Sequence, residues 1–158
     1  MKSQTVQVGA KGKQDWETPD EFFSLVNREF NFKWDLAASP LNAKSPQYFD
    51  EYMDSLSRDW HKIDGWCWLN PPFGNIRPWA AKCLEESQRG GRIVMLTLAS
   101  TGSNWFRECC WELCELRFLN GRLKFKGAEG PFPKDLALYI FAPDQFKKVT
   151  VWDWRKAL

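Results

Sequence analysis

The sequence predicts a single α/β domain with a mostly parallel sheet. At 158 residues the chain has the length of one domain and can bury a substantial core. Short apolar segments alternate with segments of helical periodicity, an order typical of parallel strands joined by right-handed crossovers. Residues 92–98 are apolar almost throughout, as in strands buried on both faces. Residues 136–141 and 149–154, joined by 142–148, are predicted to form a C-terminal antiparallel hairpin.

The elements follow from local patterns along the chain. Residues 1–14 are polar and lack periodicity, so we expect a disordered N-terminal arm, with the domain spanning residues 15–158. Thr18 and Glu21 have the spacing of a capping box, and Pro19 suits a first helical turn. The predicted helices are 19–29, 77–89 and 104–114, the other predicted strands are 32–36, 66–69, 92–98 and 115–119, and residues 39–64 are expected to be mostly loop.

Composition excludes some classes of protein and leaves others open. The net charge is only +2, from 22 basic and 20 acidic residues, so bulk charge does not indicate a nucleic-acid partner. No apolar run approaches the length of a membrane span and no signal peptide is visible, so we expect a soluble, cytoplasmic protein. The five cysteines lack paired spacing and the one histidine is His61, so we expect reduced thiols and no metal site.

The most informative segment is Asn70-Pro71-Pro72-Phe73, which directly follows the predicted strand 66–69. Two successive prolines remove two N–H donors and fix two φ angles, so the strand cannot continue its ladder. The segment, called here the Asn-Pro-Pro-Phe corner, offers a side-chain amide, free carbonyl acceptors and an aromatic ring. An ordinary strand-ending turn is the alternative interpretation.

These groups suit the chemistry of an amino group on a planar base. The lone pair of such an amine is delocalised into the ring, which makes it a poor nucleophile. Two acceptors, the Asn70 side-chain oxygen and the Pro71 carbonyl, would bind both N–H groups and favour a pyramidal nitrogen. Phe73 could stack on the base, worth about 1–3 kcal/mol. Such a reaction depends on positioning and electrostatics and needs no strong general base.

The chain resembles the amino-group DNA methyltransferases, whose catalytic motif is Asn/Asp-Pro-Pro-aromatic, and most closely the phage and prophage DNA N6-adenine methyltransferases. The resemblance covers residues 15–142. It rests on an ordered set of blocks: Trp16-Glu17-Thr18-Pro19, Asp35-Leu36-Ala37-Ala38, Asn42-Ala43-Lys44, Leu69-Asn70-Pro71-Pro72-Phe73-Gly74 with Trp79, Ser100-Thr101 with Trp105-Phe106, and Gly121-Arg122-Leu123-Lys124-Phe125.

The resemblance implies a reduced Rossmann-like methyltransferase fold that uses S-adenosylmethionine to methylate adenine N6 in double-stranded DNA after base flipping. It implies a catalytic role for Asn70, Pro71, Pro72 and Phe73. It also implies cofactor binding by Trp16, Thr18, Pro19, Asp35, Ala37 and Asn70. Some relatives target GATC, and the family suggests shielding of phage DNA from restriction in the host cytoplasm.

Each cofactor assignment has a plainer alternative. Asp35 could simply cap a loop. Thr18-Pro19 resembles the family element that holds the cofactor's carboxylate, for which a helix N-terminus is suited, but could equally be a helix cap. The usual Gly-rich first loop is absent, and about 30 residues separate Asp35 from Asn70. That length is short for two crossovers, so we expect a reduced sheet or a loop in place of a helix.

The segment 121–125 is the strongest candidate for DNA contact outside the corner. Arg122 and Lys124 alternate with apolar residues, so one face could meet phosphates while the other packs, with Phe73 as a third DNA-contacting residue. An amphipathic edge strand with solvated charges is the alternative. Arg77, Lys82 and Arg89 are interpreted as a solvated helix face, and Trp105 and Phe106 as core residues.

Other functions share the same motif. The corner alone does not separate adenine N6 from cytosine N4 methylation, and methylation of RNA or protein-glutamine amines also uses it. A non-enzymatic DNA-binding module with a degenerate methyltransferase fold is the remaining alternative.

Overall fold

The computed structural model describes residues 16–158, so the arm predicted for residues 1–14 lies outside the described residues. The helices are α1 (Asp20–Phe30), α2 (Arg77–Gln88) and α3 (Asn104–Cys109). The strands are β1 (Trp34–Asp35), β2 (Trp66–Leu69), β3 (Arg92–Leu98), β4 (Glu115–Asn120), β5 (Leu136–Phe141) and β6 (Val149–Asp153). No helix in this part of the chain is long and apolar enough to cross a bilayer.

The strands of the described residues form one sheet in the order β1-β2-β3-β5-β4-β6. Every strand is parallel to the others except β5, which runs antiparallel to both of its neighbours, β3 and β4. The predicted α/β class and mostly parallel sheet are therefore confirmed. The strands 92–98 and 136–141 have the predicted bounds.

The predicted C-terminal hairpin is wrong. β6 pairs in parallel with β4, with Leu116 opposite Val149 and Asn120 opposite Asp153, so β4 separates it from β5. Burial explains the difference. All six residues of β5 are buried, which suits a strand with neighbours on both sides, whereas Val149 and Val151 in β6 are exposed, as an edge strand permits.

The two faces of the sheet are covered by different helices. On one face α1 buries Phe22, Val26 and Phe30 in a core cluster with Trp68. On the other face α2 and α3 pack over a second cluster, which includes the buried Trp105 and Phe106, the predicted core residues, and all five cysteines. The thiols are free, and burial raises the pKa of Cys67 to about 12, so it stays protonated.

The crossover from β1 to β2 contains no α-helix. Three short 3₁₀ turns, Glu51–Met53, Ser55–Ser57 and Trp60–Lys62, interrupt an otherwise irregular segment. This confirms the predicted loop in place of a helix. The helix predicted to run to residue 114 ends instead at Cys109, where the C-cap residue Cys110 leaves helical geometry with a φ of −126°. Glu112, with a positive φ of 60°, is incompatible with a helix that continues to residue 114.

Candidate active site

A cavity of about 580 Å³ opens at the carboxyl ends of β1 and β2, where parallel α/β sheets bind ligands. Its size is within the range of small-molecule sites. The predicted residues that line it are Trp16, Thr18, Asp35, Ala37, Asn70 and Pro72. The topology therefore brings together residues that lie far apart in sequence, because Asp35 ends β1 and Asn70 follows β2.

The amide of Asn70 is held in one orientation. Its Nδ2 group donates to the Trp16 carbonyl and, at 3.1 Å, to the Thr18 hydroxyl. A backbone carbonyl can only accept, so the amide nitrogen must face Trp16 and the oxygen must point the other way. Thr18 is therefore not the capping residue predicted for α1. Pro19 occupies the N-cap position, and α1 has no side-chain cap.

The opposite end of the same amide has no partner. Asn70 Oδ1 is buried and accepts no hydrogen bond from any described residue. A buried acceptor without a donor costs about 1–3 kcal/mol. Such groups are rare in folded proteins and call for an explanation, of which a ligand that supplies the donor is one.

The prolines and Phe73 complete the corner. Pro71 is buried, and Pro72 lines the cavity beside Asn70. Phe73 is partly exposed and does not line the cavity. Its ring packs edge-on against Phe125 and Phe132, with centroids 6.1 and 5.6 Å away. Aromatic neighbours on one side fix the position of the ring.

Asp35 has a structural task in addition to lining the cavity. Its side chain is buried, and its two oxygens accept from the backbone N–H groups of Ala37, at 3.3 Å, and Lys44, at 2.9 Å. Burial raises the pKa of Asp35 to about 6, although both hydrogen bonds oppose the shift. These bonds confirm the loop-capping alternative, and they fix the backbone of residues 36–44 along one wall of the cavity.

Several cavity residues were missed by sequence reasoning. Ser55 Oγ is the second buried side-chain atom of the cavity wall without a partner among the described residues. Lys44 also lines the cavity, and its Nζ pairs with Glu17 at 3.5 Å and Asp20 at 3.0 Å. Asn42-Ala43-Lys44 was visible only as a block of the family resemblance. Nothing in the sequence distinguished Ser55 from the other serines of the 39–64 segment.

The predicted DNA-contacting residues are separate from the cavity. Arg122 and Lys124 are exposed, and Arg122 lies 3.4 Å from the Asp135 carboxylate. Between and after them, Leu123 and Phe125 are buried in the core cluster that contains α1. The segment forms no strand, so the edge-strand alternative is wrong. The alternation of charged and buried positions is confirmed.

One group of possible metal ligands occurs in the described residues: Asp59, His61 and Glu86. It lies in the segments that lead into the amino ends of β2 and β3, away from the cavity. Glu86 is fully buried. Its Oε2 accepts from the backbone N–H of His61 at 2.7 Å and lies 2.6 Å from His61 Nδ1, and its Oε1 accepts from Lys82 at 2.7 Å. Both oxygens are therefore occupied by protein donors. The side chain of Lys82 is 12% exposed and lies over the Trp60 ring, which corrects its interpretation as solvated.

A family model described as DNA N-6-adenine-methyltransferase (Dam) matches residues 4–136. A protein of Haemophilus phage HP1 named DNA N-6-adenine-methyltransferase is 30% identical over 117 residues, which are 72% of this chain and 66% of the relative. A protein of Escherichia phage T1 with the same name is 28% identical over 109 residues, 68% of this chain and 45% of the relative. The chain thus spans about two-thirds of one curated relative and less than half of the other. The family match covers most of the chain, which belongs to the DNA N-6-adenine-methyltransferase (Dam) family.

Proposed function

We propose that this chain transfers a methyl group from S-adenosylmethionine to N6 of adenine in double-stranded DNA. The observation that carries the proposal is Asn70, which follows β2, lines the cavity, has its amide nitrogen anchored by Trp16 and Thr18, and leaves its buried Oδ1 without a partner among the described residues. Membership of the family supplies the reaction class. Both named phage relatives are DNA N-6-adenine-methyltransferases, which favours adenine over cytosine.

In the proposed mechanism the anchored amide of Asn70 and the backbone carbonyl of Pro71 bind the target amine together. Asn70 Oδ1 accepts one N–H of the amine, and the Pro71 carbonyl accepts the other. Binding both N–H groups favours a pyramidal nitrogen with an available lone pair. The amine releases a proton only after the new N–C bond has formed, so no side chain must act as a strong base. Because Trp16 and Thr18 hold the amide, the acceptor needs no reorganisation when the base arrives.

The target base must leave the duplex to reach this position, because a stacked and paired amine cannot present its lone pair. Phe73 is partly exposed and is held by Phe125 and Phe132 on one side, which leaves it suited to stacking on an extrahelical base. Such stacking is worth about 1–3 kcal/mol per base. GATC is the target that the family resemblance favours.

The cavity fits a cationic cofactor. When bound, S-adenosylmethionine supplies an electrophilic methyl group on a sulfonium. Among the described residues, the cavity lining contains one basic side chain, Lys44, which is itself paired with acidic groups. The same lining contains five carboxyl groups, those of Glu17, Asp35, Asp50, Glu51 and Asp54. Sulfonium and ammonium groups are favoured in such a field. The residues that we propose hold it are Trp16, Thr18, Asp35 and Ala37, which line the cavity, with Ser55 Oγ as a further polar contact. Pro19 does not line the cavity itself, and we propose that it contributes by fixing the backbone next to Thr18 at the start of α1.

The direct test is to incubate the purified protein with labelled S-adenosylmethionine and unmethylated plasmid, then digest the DNA and identify the modified nucleoside. We expect N6-methyladenine. N4-methylcytosine would keep the mechanism and change the base. If the cofactor binds but no DNA nucleoside is labelled, RNA or a protein glutamine becomes the candidate substrate. Loss of cofactor binding altogether would favour the non-enzymatic DNA-binding module.

A further inference from the structure

A second cleft lies away from the cofactor cavity and has a different character. It has a volume of about 340 Å³ and lies between the end of β4 and the start of β5. Of the described residues, Arg122, Lys134 and Arg155 line it with basic side chains, against the acidic side chain of Asp135. Even with Asp153 paired to Arg155 from outside the lining, basic side chains outnumber acidic ones, so the local charge favours an anion although the chain as a whole is almost neutral.

The cleft is preformed around Arg155. The guanidinium donates to Asn120 Oδ1 at 2.9 Å and to Asp153 Oδ1 at 3.1 Å, which fixes its orientation. Gly121 makes this possible. It has a φ of 112°, and a Cβ at this position would lie 2.7 Å from Arg155 Nε, so only glycine fits. The neighbouring Trp154 indole donates to the Gly121 carbonyl at 2.9 Å and holds the turn.

The cleft and the Asn-Pro-Pro-Phe corner both lie at the carboxyl ends of parallel strands, β4 and β2. β2 and β4 are parallel and are separated by β3 and β5, which places their carboxyl ends about 14 Å apart at ordinary strand spacing. That distance corresponds to about four base-pair steps of duplex DNA. The loop 121–135 joins the two places physically, because Phe125 and Phe132 pack against Phe73 while Arg122 and Lys134 line the cleft.

We propose that this cleft binds a backbone phosphate of the DNA duplex, a few base pairs from the extrahelical adenine. Arg155 and Lys134 offer hydrogen-bond donors to the phosphate oxygens, and Arg122 turns from Asp135 toward the same anion. The contact sets the register of the duplex relative to the corner and is independent of base sequence. This inference rests on the proposed function, since it takes DNA to be the substrate.

The test is the salt dependence of binding to a fluorescein-labelled duplex oligonucleotide, measured by anisotropy between about 50 and 200 mM salt. For Lys134→Ala we expect a several-fold higher Kd at the low-salt end. We also expect the slope of log Kd against log salt concentration to be shallower by about 0.9, the value for one neutralised phosphate. The matched control is Lys147→Ala. Lys147 is also an exposed lysine, but it lies just before the amino end of β6, at the other end of the strand from Arg155, so its removal should leave the slope unchanged.

A variant of opposite sign separates this proposal from a general loss of folding. Asp135→Asn removes the one acidic side chain of the cleft and releases Arg122, so we expect tighter DNA binding than in the wild type. An unchanged slope for Lys134→Ala together with unchanged affinity for Asp135→Asn would overturn the proposal.

Failure of the cleft and failure of the proposed function give different results. If the wild type forms N6-methyladenine while the Lys134→Ala slope and the Asp135→Asn affinity are both unchanged, the cleft is refuted and the activity stands. If no methylated nucleoside forms but Lys134→Ala still lowers the slope, the phosphate site stands and the activity is refuted.

Discussion

Asn70 and Glu86 both place polar atoms in the interior, Asn70 just after the carboxyl end of β2 and Glu86 in the helix that leads into β3, but their hydrogen bonding differs. Both oxygens of Glu86 accept from His61 or Lys82, whereas Asn70 Oδ1 accepts from no described residue. A buried group with every partner supplied by the protein stabilises the fold. A buried group with one partner missing destabilises the free protein, and a ligand that supplies the missing donor is one explanation for it. The comparison indicates a stabilising role for Glu86 and agrees with the catalytic role proposed for Asn70.

The largest effect should come from Asn70→Ala. We expect kcat to fall by about 10²–10³ or more, since this removes the oxygen that is proposed to accept from the target amine. The Kd for S-adenosylmethionine, measured by calorimetry, should stay near the wild-type value. Asn75→Ala is the control, because Asn75 is an exposed asparagine of the same loop. Loss of cofactor affinity in place of turnover would contradict the role given to Asn70.

Glu86→Ala should lower the stability of the protein and leave its turnover unchanged. Its removal leaves Lys82 and His61 partly buried without their shared acceptor, so we expect a loss of about 3–5 kcal/mol in the free energy of unfolding. Urea denaturation measures this, with the exposed Glu85→Ala as control. The kcat of the folded fraction should stay unchanged. A large loss of kcat with an unchanged unfolding free energy would reverse the comparison.

Asp35 shares a feature with each of these residues, because its oxygens accept from protein N–H groups and it also lines the cavity. Its raised pKa predicts a pH dependence of stability. Its folded pKa of about 6 lies above its ordinary value of 3.8, mainly because it is buried. The folded state therefore binds more protons than the unfolded state between these values. Stability should fall as pH rises from about 4 to about 6, by about 3 kcal/mol from this group.

The pH effect has an internal comparison in Glu86. Burial alone would raise the pKa of Glu86, but the hydrogen bonds from Lys82 and His61 outweigh it and hold the pKa below its ordinary range. Its contribution is present above about pH 4.5 and lost in more acidic solution. Urea denaturation across this range should show the Asp35 decline vanish in Asp35→Asn. A decline that persists in that variant would contradict the assignment.

The smallest effect should come from Thr18→Val, which removes one hydrogen bond to the Asn70 amide and keeps the bond to the Trp16 carbonyl. One hydrogen bond is worth about 1 kcal/mol, so we expect roughly a five- to tenfold lower kcat. Because Thr18 is also one of the residues proposed to hold the cofactor, the Kd for S-adenosylmethionine is measured alongside kcat, and Thr18→Ser should restore both. A serine variant as slow as the valine variant would show that packing, not the hydroxyl, is responsible.

The sequence was most informative where one short segment carries the whole signal. The apolar runs of β3 and β5 predicted both strands with correct bounds, and two prolines after Asn70 marked the end of β2. Local periodicity cannot specify which strand a neighbour will pair with. The pairing of β6 with β4 was therefore missed, because β5 has the more strongly buried pattern and takes the inner position.

Contacts between distant segments were also beyond local patterns. Thr18 has the spacing of a helix cap, but its hydroxyl bonds Asn70, 52 residues further along the chain. Lys82 was interpreted as part of a solvated face of α2, yet it pairs with the buried Glu86 and lies over the ring of Trp60 in the 3₁₀ turn Trp60–Lys62. In both cases the position of the side chain depends on a contact with a distant segment of the chain.

The shortness of β1 has a consequence for ligand binding. This strand pairs with β2 at only two positions, and Asp35 adds one isolated bridge to Tyr48, whereas β3 and β5 pair along six. A wall held by so few ladder bonds should open locally at a lower free energy than the centre of the sheet, and its amides should exchange hydrogen faster. A cofactor that binds only the closed wall stabilises it by about 2.7 kcal/mol at a hundredfold excess over its Kd. The methyl donor would then also act as a folding ligand for this segment, and its apparent affinity would include the free energy of closing the wall.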